Sequence, residues 1–203
     1  DFWNVEEFPG PRSLSGSRPV DNFEFALLAD GVDPKDLYKV LSTKEGIQRA
    51  FDKLAELKPH IPIWWSSGAQ SVQLLSEGEA YYCSTYNGRV NKLVASGVPA
   101  EIVWNGGSMH MSYVGIPKGA KNIKEAHEFI RYRTTNTKQM LEYIKMIPYP
   151  GFAPGLYDTL PKDKAESMPT YPANLAVQFA ANEEFWAIQI DKLQERWSDW
   201  LLE

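Results

Sequence analysis

Apolar positions recur at three-and-four spacing in several stretches, separated by short apolar runs that end at proline or glycine, the pattern of a chain alternating helices with brief strands. The clearest helix precedes Pro59 and Pro62. Ile47, Ala50, Phe51, Leu54 and Leu57 line one of its faces, and Ser42-Thr43-Lys44-Glu45 reads as a capping box. Upstream, Asp21 with Glu24 reads as a second box for a helix carrying Phe23 to Leu28 and stopped by Gly31, followed by a short helix near Asp33-Pro34. The pattern predicts strands over 61–65, 80–86, 101–104 and 111–116. Between them fall a helix after Ser67 that Gly78 closes and a helix over 89–96 that Gly97 stops. Asn122 with Glu125 caps a predicted helix bearing Ala126, Phe129 and Ile130, and Met140, Leu141 and Ile144 mark the next. A loop-rich crossing segment over 148–172 leads to a final helix whose Phe185, Ile188, Leu193, Trp197, Trp200 and Leu201 form a core stripe. The whole reads as α/β, without internal repeats.

At 203 residues, 43% hydrophobic and 23% charged, the chain has ordinary globular composition and buries roughly 70% of its unfolded surface. The net charge of −5, with basic residues scattered, excludes a nucleic-acid binder. Cys83 alone cannot form an internal disulfide, and His60, His110 and His127 lack metal-ligand spacing, so neither a metal nor a cofactor is expected. No apolar run is long enough for a membrane span. The sequence opens without Met, which reads as processing or truncation.

Catalytic patterns are missing where they would be sought. Trp65-Ser66-Ser67-Gly68 lacks the first glycine of a nucleophile elbow, and Asn105-Gly106-Gly107 lacks the spacing of a dinucleotide fingerprint. Glu77 with Glu79 and Glu183 with Glu184 read as solvated helix faces, and Cys83, within an apolar run, reads as an inert thiol. No enzyme is expected. The strand-to-helix turn at 66–70 offers backbone N–H groups to an anion, the alternative being that Ser67 simply caps its own helix.

Several phrases in order carry a family resemblance: Ile63-Trp64-Trp65-Ser66-Ser67-Gly68-Ala69-Gln70, Gln73-Leu74-Leu75-Ser76-Glu77-Gly78-Glu79, Tyr86-Asn87-Gly88-Arg89, Ile116-Pro117-Lys118-Gly119-Ala120-Lys121-Asn122 and Trp197-x-x-Trp200-Leu201. Together they resemble the polyamine-type (spermidine/putrescine-like) periplasmic solute-binding proteins of ABC transporters. The resemblance implies a two-lobed, type II-like periplasmic binding fold, here lacking most of its first lobe. It implies residues 1–111 as the main part of the second lobe, 112–158 as a remnant of the first with crossing segments, and 159–203 as the return to the second. It further implies a small amine, amino acid or carboxylate held between two lobes, delivery to an ABC permease, and a bacterial periplasmic location after removal of a signal peptide. A ligand-sensing or interaction domain reusing the fold is the alternative.

The family pattern places a solute-stacking aromatic at Tyr86. Where that pattern has an aromatic and, two positions later, an acid, this chain has His110 and Ser112. Arg89 stands where diamine binders can carry an acid, and its planar fork of donors suits a carboxylate, the alternative being an arginine on a solvated helix face; its place directly after Tyr86-Asn87-Gly88 favours ligand contact. Trp65 and Ser67 complete the candidate ligand contacts. Arg89 and Ser112 together point to a compact amino acid or γ-amino acid in place of a fully cationic polyamine.

Overall fold

The computed structural model describes residues 2–151 and 155–203. Along the chain run β1 (Arg12–Ser13), α1 (Asn22–Ala29), α2 (Leu37–Leu41), α3 (Lys44–Leu57), α4 (Gly68–Glu77), β2 (Tyr82–Cys83) and α5 (Asn87–Ala95). There follow β3 (Ser108–Met109), α6 (Ile123–Thr135), α7 (Thr137–Met146), α8 (Lys162–Glu166), α9 (Pro172–Leu175), β4 (Phe179–Ala180) and α10 (Glu183–Leu202). β1 pairs with β2 and β3 with β4, both in parallel, with Arg12 opposite Tyr82 and Ser108 opposite Phe179. Parallel pairing forces long connections, and helices supply them. The chain divides into two compact units, Asp1–Ile102 with Ala181–Glu203, and Val103–Ala180.

The first unit is built on α3. Thr43 caps this helix by accepting the Gly46 N–H at 3.0 Å, one residue beyond the predicted box, and Ala50, Phe51, Leu54 and Leu57 are buried as the periodicity required. Phe23 of α1 meets Phe51 edge to face at 4.8 Å. Trp197 of α10 is wholly buried beside both rings and stacks on Trp200 at 5.3 Å, while its Nε1 donates to the Gly16 carbonyl at 2.9 Å. The long helix therefore closes over residues from the start of the chain.

Arg12 is buried in β1 without a carboxylate. Its guanidinium donates to the carbonyls of Phe2, Gly10, Asn4 and Phe8, and its Cζ lies 4.5 Å from the centre of the Tyr82 ring. Backbone acceptors and an aromatic face thus replace the hydration that a buried cation loses, and the N-terminal loop is wrapped around the side chain.

The second unit has a smaller core. Met140 and Ile144 of α7 pack with Leu156 and Met168, and Tyr157 and Tyr171 meet edge to face at 5.8 Å. The predicted crossing segment contains α8 and the start of α9; its positions 152–154 lie outside the described residues. Helix α6 buries no residue, and Phe129, assigned to a core face by its spacing, is 60% exposed, with Tyr113 at 79%.

Several expectations are corrected. The stretch predicted as a strand over 61–65 forms one bridge, Ser15 to Trp65, and that over 80–86 shortens to β2, because only β1 lies alongside and Pro11 precedes it. Residues 101–104 and 111–116 form no strand among the described residues, and the ladder forms instead at β3, where Phe179 is available. Glu24 does not complete a box with Asp21: its side chain turns inward, and Asp21 caps without a side-chain bond at φ 70°. Asn122 likewise makes no cap bond. Ile188 is 68% exposed, whereas Trp186, outside the predicted stripe, is buried. The predicted glycine stops at Gly31, Gly78 and Gly97 all hold left-handed backbone, with φ 83°, 72° and 94°.

This packing sets an expected contrast within one helix. Trp197→Ala should destabilise the chain by about 3–5 kcal/mol in chemical denaturation, while Ile188→Ala should change stability by less than about 0.5 kcal/mol.

Candidate functional site

Four of the six predicted contacts lie together in the first unit. Trp65 is buried on Leu74 and Ala80, and its Nε1 donates to Ser84 Oγ at 3.3 Å. Its indole meets the Tyr86 ring edge to face, with centroids 6.2 Å apart. Tyr86 is the residue preceding α5 and is 43% exposed, so one face is braced and the rest is open to solvent.

Helix α4 begins beside it. Ser67, in extended conformation, accepts the Gln70 N–H at 3.2 Å, and the Gln70 side chain in turn accepts the Ser66 N–H at 2.7 Å. Ser67 is therefore engaged as a cap, while the N–H groups of Gly68 and Ala69 donate to nothing among the described residues. They mark the positive end of the helix dipole.

Gly68 makes the cluster possible. A Cβ there would lie 2.7 Å from Arg89 Nε and 2.9 Å from two atoms of the Tyr86 ring. Only hydrogen lets both side chains lie across the start of the helix. Arg89, in the first turn of α5, is exposed and forms no ion pair or side-chain hydrogen bond among the described residues. Its backbone is held by the Arg89 N–H to the Tyr86 carbonyl at 2.9 Å. Wholly buried Ser71 shares a 2.5 Å hydroxyl bond with Thr85, which ties α4 to the segment that delivers Tyr86.

His110 and Ser112 belong to the second unit. His110 Nε2 lies 3.2 Å from Ser108 Oγ, and Ser112 is exposed in the unpaired stretch after β3. Sequence reasoning did not identify Gly68 or the Ser71–Thr85 pair. A glycine at the first position of a predicted helix was the available signal for the former; the latter depends on which residues fold opposite each other.

The remaining chemistry is structural. Burial pushes the Cys83 thiol up to about 12, and its Sγ donates to the Ser84 carbonyl, so it is protonated and poorly nucleophilic. Among the described residues no group of three or more His, Cys, Asp or Glu side chains is arranged to hold a metal ion, and no helix is long and apolar enough to cross a membrane. Shallow depressions along Gln48, Asp52 and Arg196, and along Val32, Asp36 and Lys39, are open to solvent and include none of the six predicted contacts.

Gly68→Ala is expected to push Tyr86 and Arg89 off the start of α4 at small cost, since both are outer, movable side chains. Denaturation should show a stability change within about 1 kcal/mol, while near-ultraviolet circular dichroism should report a changed Trp65–Tyr86 environment.

The family model described as bacterial extracellular solute-binding protein matches residues 1–173. A γ-aminobutyric acid-binding protein from Pseudomonas aeruginosa is 42% identical over 200 residues, 98% of this chain and 56% of that protein. Among solved structures, the PBP MotA from A. tumefaciens B6, in complex with glucopine, superposes with a TM-score of 0.82 at 29% identity, over 99% of this chain and 62% of its own. The Atu4243–GABA receptor superposes at 0.79 with 32% identity, over 98% of this chain and 59% of its own. The chain thus spans less than two thirds of each of these relatives. On the breadth of the family match and the identity to the Pseudomonas protein, the chain belongs to the bacterial extracellular solute-binding protein family.

Proposed function

We propose that the complete protein is a periplasmic receptor that captures a small solute carrying a carboxylate, most simply a compact amino acid or γ-amino acid, and hands it unchanged to the permease of an ABC importer. The observation that carries this reading is Arg89: an exposed guanidinium without a partner among the described residues, beside an open aromatic face and the N-terminal end of α4. Three features favour negative charge there: the guanidinium, the helix dipole and the free N–H groups of Gly68 and Ala69. Tyr86 supplies an apolar surface for the carbon skeleton of the solute. The relatives named for γ-aminobutyric acid support the same class, and membership of a binding family supports binding without turnover.

In this reading the first unit is most of the second lobe, and Val103–Ala180 comprises the crossing segments and the part of the first lobe present in the chain. Exposed Phe129 and Tyr113 fit a unit whose partner surface comes from the remainder of a longer protein. These 203 residues alone should therefore bind solute weakly.

Thermal-shift titration of the complete protein with γ-aminobutyrate, other amino acids, small carboxylates and putrescine tests the proposal. A preferred carboxylate at a hundred times its dissociation constant should add about 2.7 kcal/mol of stability. Arg89→Glu should weaken carboxylate binding by about 2–5 kcal/mol. Preference for putrescine over every carboxylate, or unchanged binding by the variant, would overturn it.

A further inference from the structure

The chain passes between its two units twice, at Ile102–Val103 and again at Ala180–Ala181, and the two passages are secured differently. At the first, residues 101–103 neither donate nor accept a backbone hydrogen bond among the described residues. Immediately after the second, the chain is held by a chain of polar contacts. The Asn182 N–H donates to the Tyr38 hydroxyl at 2.8 Å. That hydroxyl donates to Glu24 Oε1 at 3.0 Å, and Trp186 Nε1 donates to the same oxygen at 2.6 Å. Asn182 also caps α10, its Oδ1 accepting the Phe185 N–H at 2.9 Å. Residues of α1, α2 and α10, separated by as many as 162 positions, thus meet at one carboxyl oxygen.

Glu24 is wholly buried, and its second oxygen, Oε2, has no hydrogen-bond partner among the described residues. The hydrogen bonds from Trp186 and Tyr38 favour an ionised carboxyl, but burial opposes ionisation more strongly. Asp21, on the same turn of chain, adds negative charge. Tyr38 from α2 and Trp186 from α10 are neutral donors, and the first turn of α10 otherwise contributes Glu183 and Glu184. Helix α3, packed against α1, presents Gly46, Ala50, Phe51, Leu54 and Leu57 as its buried residues, all uncharged. Among the described residues no cation enters the set.

We propose that Glu24 is a protonation-controlled anchor for the return passage: as a neutral acid it holds the first turn of α10 against α1 and α2, and its ionisation loosens that turn. Burial, followed by repulsion from Asp21, raises its pKa from 4.5 to about 7. The sign follows from linkage. The docked state binds the proton more tightly than the open state, so the anchor is strongest at low pH, weakens as pH rises from about 4.5, and has lost this contribution once pH passes about 7. Glu24 touches no solute in this scheme, and the anchor operates whichever solute the protein takes.

Hydrogen exchange of the 203-residue chain, corrected for intrinsic rates, tests the anchor at three bonded amides, Asn182, Phe185 and Trp186. Their protection should fall about tenfold between pH 6 and pH 8, the ratio set by a pKa moving from about 7 when docked to its ordinary value when open. Amides of α7 should keep theirs. In Glu24→Gln, which cannot ionise, the fall should disappear. A companion measurement on the unaltered chain follows the Trp186 indole N–H resonance, which should titrate with a midpoint near 7. Protection at the three amides that is independent of pH, a fall that persists in the Gln variant, or an indole resonance that does not move between about pH 5.5 and 8.5 would overturn the proposal.

Discussion

Closure of α10 over α1 and α3 is the interaction on which the first unit depends. The unit is discontinuous: its chain leaves at Ile102 and returns at Ala181, so nothing local holds the two parts together. Trp197, with no exposed surface, supplies the apolar seal between Phe23, Phe51 and Trp64. Aromatic burial of this kind contributes several kcal/mol, a large part of a typical domain's net stability. The indole donors of Trp186 and Trp197 end on Glu24 and the Gly16 carbonyl. Apolar burial thus provides the strength, and the two N–H groups set the rotation of the helix.

The same unit carries the cluster of Trp65, Gly68, Tyr86 and Arg89, and its rigidity has a physical origin. Arg12 gathers the N-terminal loop and faces the Tyr82 ring. β2 leads through Thr85, pinned to Ser71, directly to Tyr86. Each brace is buried or half-buried, whereas the hydroxyl of Tyr86 and the guanidinium of Arg89 have no partner among the described residues. In the proposed reading, such a preorganised backbone bearing solvated donors lowers the ordering cost of binding a solute.

The second unit shows the opposite balance. Its core is centred on α7, while α6 and the stretch after β3 expose large apolar side chains. Among the described residues no backbone ladder pairs with residues 111–116. The chain spans less than two thirds of the length of the solute-binding relatives it matches.

Local patterns in the sequence determined most of the helices, since periodicity, glycine stops and Pro59 act over a few residues. The apolar face of α3 and the left-handed backbone at Gly31, Gly78 and Gly97 are cases where neighbouring residues suffice. The family was legible from short phrases in order. Strands were not, because a strand exists only with a partner: 101–104 and 111–116 have the composition without the neighbour, while Ser108 and Met109 became β3 because Phe179 and Ala180 lie beside them. Tertiary structure alone decided that Glu24 would turn from a cap into a buried acid, that Ile188 would face solvent while Trp186 went inside, and that Gly68 would admit two side chains across a helix start. In each case the deciding partner lies at a distance along the chain that local periodicity does not encode.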